Sequence, residues 1–432
     1  MLHLPTTFKK RPTHQSATNI ATSVPPEIWL RIFELLSFQE LKNLTLVHRV
    51  FAEYARPRIW RKLSLCTLDQ QCHGKAQLII RQPELALYVE HLHLRPGYNT
   101  ERAPTDLWTC DPSIRTWVDV AKAAKWKQLT KPWRHFLRSR QSIAAAVRIA
   151  PLLTNLSKLI ITASFSDDYQ PNPDPYHKLW IGLKESRLRC LEIHFYSHSS
   201  LKTFSSILRT SSIVLNQFEA FFLTIWGLSC SDKEIQKDVQ ALADVGRGSL
   251  RSLGVTINTY QPIQTALMNG LGFFPNLVHF NGSFHNDHPH ECVTEFLLRH
   301  RSTLVCLSLE GYIHHLLPVV IFKSMPDFSG PLKLTSIRLI DRHRGMEPFW
   351  SIVQPRMTAY ADTLTTLAIT TGRHNRQLQH GFDYKEVEEV ILSLYKPSQG
   401  VLLRKLRLPL EYLSPDIINL MQVISTILQL WT

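Results

Sequence analysis

The chain has only seven cysteines in 432 residues, at 66, 72, 110, 190, 230, 292 and 306, and no two of them form a C-x-x-C pair. An odd, irregular set of this kind argues against a disulfide framework and against the common zinc modules, and it fits a reducing compartment. Glycine-rich phosphate loops of the G-x-x-x-x-G-K-[ST] or G-x-G-x-x-G type are absent. So is the G-x-S-x-G nucleophile elbow. Long apolar runs are missing as well: the stretch 316–322 is far too short for a membrane span and contains Pro318. The first 23 residues hold no apolar run of secretory length. These absences lead us to expect a non-catalytic, cofactor-free protein of the cytoplasm and/or nucleus, with Lys9-Lys10-Arg11 hinting at nuclear import.

With 44% hydrophobic and 19% charged residues, the composition is that of a folded chain. The net charge of +14 is spread along the sequence and favours encounter with acidic partners. The densest group of metal-ligating types is His285-Asn286-Asp287-His288-Pro289-His290-Glu291-Cys292. Its H-x-x-H-x-H spacing matches no zinc site, and Pro289 with its Asn and Asp neighbours marks a loop, so no metal is expected.

The most informative stretch is 24–63. Ile28, Ile32, Leu35 and Leu36 share one helical face. Pro25 and Pro26 stand where a helix begins. Ser37 and Glu40 form a capping box that starts a second helix, carrying Leu41, Leu44 and Val47. A third segment carries Phe51 and Tyr54, with a break expected at Pro57, and ends in Ile59-Trp60. About forty residues are too few to bury a core alone, so part of this apolar surface should meet something else. The stretch resembles the F-box. Val24-Pro25-Pro26-Glu27-Ile28 stands for the family's Leu-Pro-x-Glu-Ile/Leu opening, Glu40-Leu41 for its acidic-Leu pair, and Trp60-Arg61-Lys62-Leu63 for its closing Trp-Arg-x-Leu. Val24 in place of Leu is a mild departure. The resemblance implies docking on a Skp-family adaptor and through it a cullin, with Val24, Pro25, Ile28, Ile32, Leu36, Leu41 and Leu44 as contacts. Phe51 and Trp60 are read as internal packing.

After residues 24–63, a small helical hook, one pattern recurs, an apolar residue followed by two more at +3 and +5. It begins at Val89/Leu92/Leu94 and, from Leu156/Leu159/Ile161 to Leu403/Leu406/Leu408, restarts every 27 to 39 residues. Regular restarts of this size signal stacked units that cannot bury their apolar faces alone. The pattern resembles the L-x-x-L-x-L strand of leucine-rich repeats, although the repeat asparagine occurs only as Asn258. The two resemblances together look like an F-box protein with divergent leucine-rich repeats, a pairing abundant in fungi. The expected fold is therefore α/β: a three-helix F-box, then an irregular solenoid with parallel strands on the concave face and helices outside. The expected boundaries are a tail at 1–22, the F-box at 23–65 and repeats at 66–432.

Two segments break the period. The interval between Leu94 and Leu156 contains an insert at about 97–140 with Trp108, Trp117, Trp126 and Trp133 among many Lys and Arg. It is either a further repeat with an extra helix or a surface for nucleic acid or lipid. An apolar helix over 415–431 is expected to cover the end of the array.

Residues between the core positions of each strand point outward. Among them His194, Tyr196, Phe222, Trp226, Tyr312 and Arg338 are the expected substrate-binding residues, aromatic in the middle and basic toward both ends. The reading that follows is a substrate-recognition subunit of an SCF-type cullin ubiquitin ligase, taking an acidic or phosphorylated protein segment. A scaffold that binds the adaptor without a cullin, and a nucleic-acid or membrane binder built on the insert, are the rivals.

Overall fold

The structure is a computed structural model, and it describes residues 24–66, 72–95, 142–163, 174–196, 198–211, 218–226, 232–244, 246–259, 261–284, 291–311, 334–341, 360, 362–371, 384–394, 402–408, 415, 416 and 419. The insert at 97–140, Tyr312, the loop 285–290 and most of 415–431 lie outside the described residues.

Three helices come first: α1 (Pro26–Leu35), α2 (Phe38–Thr45) and α3 (Arg49–Trp60). Pro25 caps α1 with Pro26 in its first turn, and the Ser37/Glu40 box at α2 is formed in both directions. His48 Nδ1 accepts the Val50 amide and starts α3. The break expected at Pro57 does not occur, because α3 runs through it. The missing N–H removes one helical bond, while the flanking turns keep theirs. Packing between the helices rests on Trp29, Phe33 and Phe51, with the Trp29 and Phe51 rings edge-on at 4.7 Å. The Arg58 guanidinium donates to the Phe33 carbonyl and closes the open end of α1.

Among the described residues eleven parallel strands follow, and their spatial order is their chain order. They are β1 (Lys62–Cys66), β2 (His91–Arg95), β3 (Lys158–Ala163), β4 (Cys190–Phe195), β5 (Ala220–Trp226), β6 (Ser252–Asn258), β7 (His279–Phe284), β8 (Cys306–Gly311), β9 (Ser336–Asp341), β10 (Thr366–Thr371) and β11 (Lys405–Arg407). The connections contain α4 (Cys72–Arg81), α5 (Asp174–Gly182), α6 (His198–Ser211), α7 (Asp232–Asp244), α8 (Gln261–Leu271), α9 (Glu291–Arg299) and α10 (Tyr384–Ser393). Parallel neighbours require crossovers, and these helices supply them in the connections where they are described. No helix among the described residues is long and apolar enough to cross a membrane.

The recurrent sequence pattern sets the register. Leu63, Leu92, Leu159, Leu191, Phe221, Leu253, Phe280, Leu307, Ile337 and Leu367 pair in one continuous row, and all are buried. Two residues on, a second row runs from Leu65 to Ile369 and is interrupted by Gly282. That interruption is filled from its own strand, since a Cβ at Gly282 would lie 2.5 Å from Phe284 and 3.0 Å from Phe280. From β3 to β7 a third buried row, Ala163, Phe195, Ile225, Ile257 and Phe284, follows two residues further on, and the one repeat asparagine, Asn258, comes just after it, in register with Trp226. Each unit is also tied to the one before it by a doubly used carbonyl. Ser157 and Lys158 amides donate to Glu90, Arg189 and Cys190 to Ser157, and the scheme repeats up to Arg404 and Lys405 on Thr365.

That scheme begins inside the hook. The amides of Glu90 and His91 donate to the Arg61 carbonyl at 3.0 and 2.9 Å. Trp60 packs on the main core, and Arg61 Nε lies 2.8 Å from Glu90 Oε2. β1 thus starts within the range read as F-box, a strand the sequence pattern did not reveal.

Candidate functional site

Two surfaces carry the chemistry. On the hook, the inward face of α1 is Trp29 and Phe33, which leaves the opposite apolar face uncovered. Ile28 is 50% exposed, Ile32 37% and Leu35 87%. Phe38, Leu46 and Val47 are exposed too, although they were not expected as contacts. Of the expected contacts, Pro25 is exposed and Val24 half-buried. Leu36 and Leu44 are half-buried against the hook's own core. Leu41 is 1% exposed and belongs to that core rather than to a docking face. The i, i+3 spacing of Leu41, Leu44 and Val47 does not separate these roles, because Leu41 is turned inward with Phe33 and Ala55. So much exposed aliphatic surface on three short helices marks an interaction face.

Residues 21–66 match the F-box-like family model. The hook is an F-box-like domain. The match ends at the last residue of β1, so the F-box and the parallel sheet share that strand. No curated protein matched the chain as a relative.

The second surface is the outward face of the sheet. His194, Tyr196, Phe222 and Trp226 lie half-buried on or just after the neighbouring strands β4 and β5. Arg338 is exposed on β9, four strand spacings from β5, roughly 19 Å away. The five expected substrate residues that are described therefore fall into two zones.

The zone near β4 is organised by His194 together with Lys158 and Glu192, two residues not singled out from the sequence. Lys158 Nζ sits 2.6 Å from Glu192 Oε2, and His194 Nε2 lies 2.9 Å from Glu192 Oε1. Burial alone would raise the Glu192 carboxyl, but hydrogen bonds and charge from His194 and Lys158 outweigh it and hold the group at about 2. Lys158 also stands 5.6 Å from the centre of the Phe222 ring. On β2, His93 Nε2 is 2.9 Å from Thr162 Oγ1, and Arg95 Nε lies 3.2 Å from the same nitrogen. Burial, then the Arg95 charge, keeps His93 neutral by pushing it well below the ordinary imidazole range. Burial lifts the Tyr196 phenol to about 12 and the Cys190 thiol to about 11, so both keep their protons at neutral pH. Phe222 leans over Gly254, where a Cβ would stand 2.2 Å from its Cδ1. A sheet position without a side chain is what lets that ring lie down.

The face thus offers a Lys–Glu–His cluster, flat aromatic surface and, farther along, an exposed arginine with no ion pair among the described residues. These groups suit polypeptide recognition. Among the described residues no group of three or more His, Cys, Asp or Glu is arranged to hold a metal.

Proposed function

We propose that the protein is the substrate-recognition subunit of an SCF-type ubiquitin ligase. The F-box docks on a Skp-family adaptor, and through it a cullin, while the parallel sheet presents a protein substrate. On this reading the eleven strands are a solenoid of divergent leucine-rich repeats, with the L-x-x-L-x-L rows as its core and the outward residues as its substrate face. The observation that carries the reading is the uncovered face of Ile28, Ile32 and Leu35 on a segment that matches an F-box-like domain. Burying each such aliphatic is worth about 1.5–3 kcal/mol, enough for a few of them to dominate an interface. Transfer chemistry then belongs to the recruited conjugating enzyme, and this chain supplies proximity.

The test is co-expression with a Skp-family adaptor, comparing the wild type with Ile28→Asp/Leu35→Asp. Both side chains are exposed, so the variant should melt as the wild type does while losing the adaptor. Equal adaptor retention by both proteins would refute the docking face. Cullin co-purifying with the wild-type complex supports the ligase, and adaptor without cullin points to a scaffold.

A further inference from the structure

We propose that the β9–β11 end of the sheet's outward face holds an acidic segment of the substrate, its carboxylates or phosphates gripped by Arg338, Lys405 and Arg407. This rests on the substrate-receptor reading and deepens it by fixing where the segment sits and what charge it carries.

Register brings the three cations together. Arg338, Ala368 and Arg407 are aligned across β9, β10 and β11. Two residues earlier in each strand, Ser336, Thr366 and Lys405 are aligned in the same way. The three cationic side chains are exposed, and among the described residues no hydrogen bond or ion pair engages them. Between them lie an alanine methyl and two small hydroxyl residues, so a bound backbone can come close to the sheet. The nearest acid by register is Glu310 on β8, opposite Ile340 and outside both rows, and it is already engaged.

The contrast with the other end decides the location. Around β3 and β4 an incoming anion would compete with Glu192 for Lys158, and Arg95 already lies against His93. At β9–β11 no acid among the described residues is paired with Arg338, Lys405 or Arg407. The geometry also limits the ligand. Strands are spaced about 4.8 Å apart, which puts the Arg338 and Arg407 backbones roughly 10 Å apart. An extended polyproline-type segment advances about 3.1 Å per residue, so acids three residues apart would meet both guanidinium groups.

The experiment uses the full chain co-purified with a Skp-family adaptor and a labelled peptide bearing glutamate at every third position. A second peptide carries phosphoserine at those positions, so the arms separate carboxylate from phosphate. Fluorescence anisotropy should show binding that weakens with salt. Arg338→Glu/Lys405→Glu/Arg407→Glu should weaken it by about tenfold or more. Arg148→Glu, in the helical stretch 142–149, should leave it unchanged. The milder Arg338→Ala/Arg407→Ala pair, checked by thermal melting, guards against a misfolded triple variant. Unaltered binding by the charge variants would overturn the proposal. So would the absence of peptide binding in a preparation that retains adaptor, or a nucleic-acid oligomer outcompeting both peptides. Loss of adaptor from the wild type would instead tell against the receptor reading.

Discussion

Lys158 and Glu192 meet across β3 and β4 at 2.6 Å, and that contact decides the charge of the central face. Because Glu192 is held at about 2 rather than its ordinary 4.5, its ionised form is favoured by the fold. The stabilisation is present in full above the ordinary carboxylate value and is lost as pH falls through about 2. Glu192→Gln should therefore flatten the acid limb of the stability curve between pH 4.5 and 2. Denaturation series at several pH values check this. A wild-type-like acid limb in the variant would mean that Glu192 does not set it.

His300 predicts a second pH effect. Its ring is buried, takes the Phe274 amide on Nε2 at 2.9 Å and lies 2.7 Å from the Phe296 carbonyl through Nδ1. Burial is the main cause that lowers its pKa. The unfolded chain then takes up a proton that the folded chain resists, so stability should fall as pH drops below the ordinary imidazole value. His300→Ala should remove this dependence, and it should cost about 2–4 kcal/mol in urea denaturation, from the orphaned amide and the cavity.

Leu35 and Leu41 should part company. Leu41→Asp places a carboxylate in the F-box core and should cost about 3 kcal/mol or more, read as loss of helix or of cooperative melting. Leu35→Asp should shift stability by no more than about 0.5 kcal/mol, because the side chain is exposed.

Gly254 and Phe222 should be coupled. Gly254→Ala forces the Phe222 ring off its place and should cost about 1 kcal/mol or more. Adding Phe222→Ala should remove most of that cost, and a double-mutant cycle by chemical denaturation measures the coupling.

The strands were legible wherever their apolar spacing stood alone, from Val89 to Leu403, because that spacing is the buried row itself. β1 was hidden, since Leu63 and Leu65 serve as F-box ending and sheet beginning at once. In α1 the apolar residues nearly encircle the helix, so spacing could not tell inward Trp29 and Phe33 from outward Ile28 and Ile32. Pro57 misled because a helix can carry one proline when its neighbours fix the remaining turns. In the Lys158–Glu192–His194 cluster Lys158 stands more than thirty positions from its partners, and alternation shows which side chains point outward but not which strands adjoin.

The carbonyl of Arg61 begins the same chain of doubly shared hydrogen bonds that ends at Thr365. The F-box-like helices are thus joined to the sheet by the same bonds that join its strands, like the first plank of a deck. Under the proposed function, a captured protein would be held at one fixed offset from the ligase. Which of its lysines receives ubiquitin would then follow from where the β9–β11 anchor seats it, much as a fixed ruler marks only one distance.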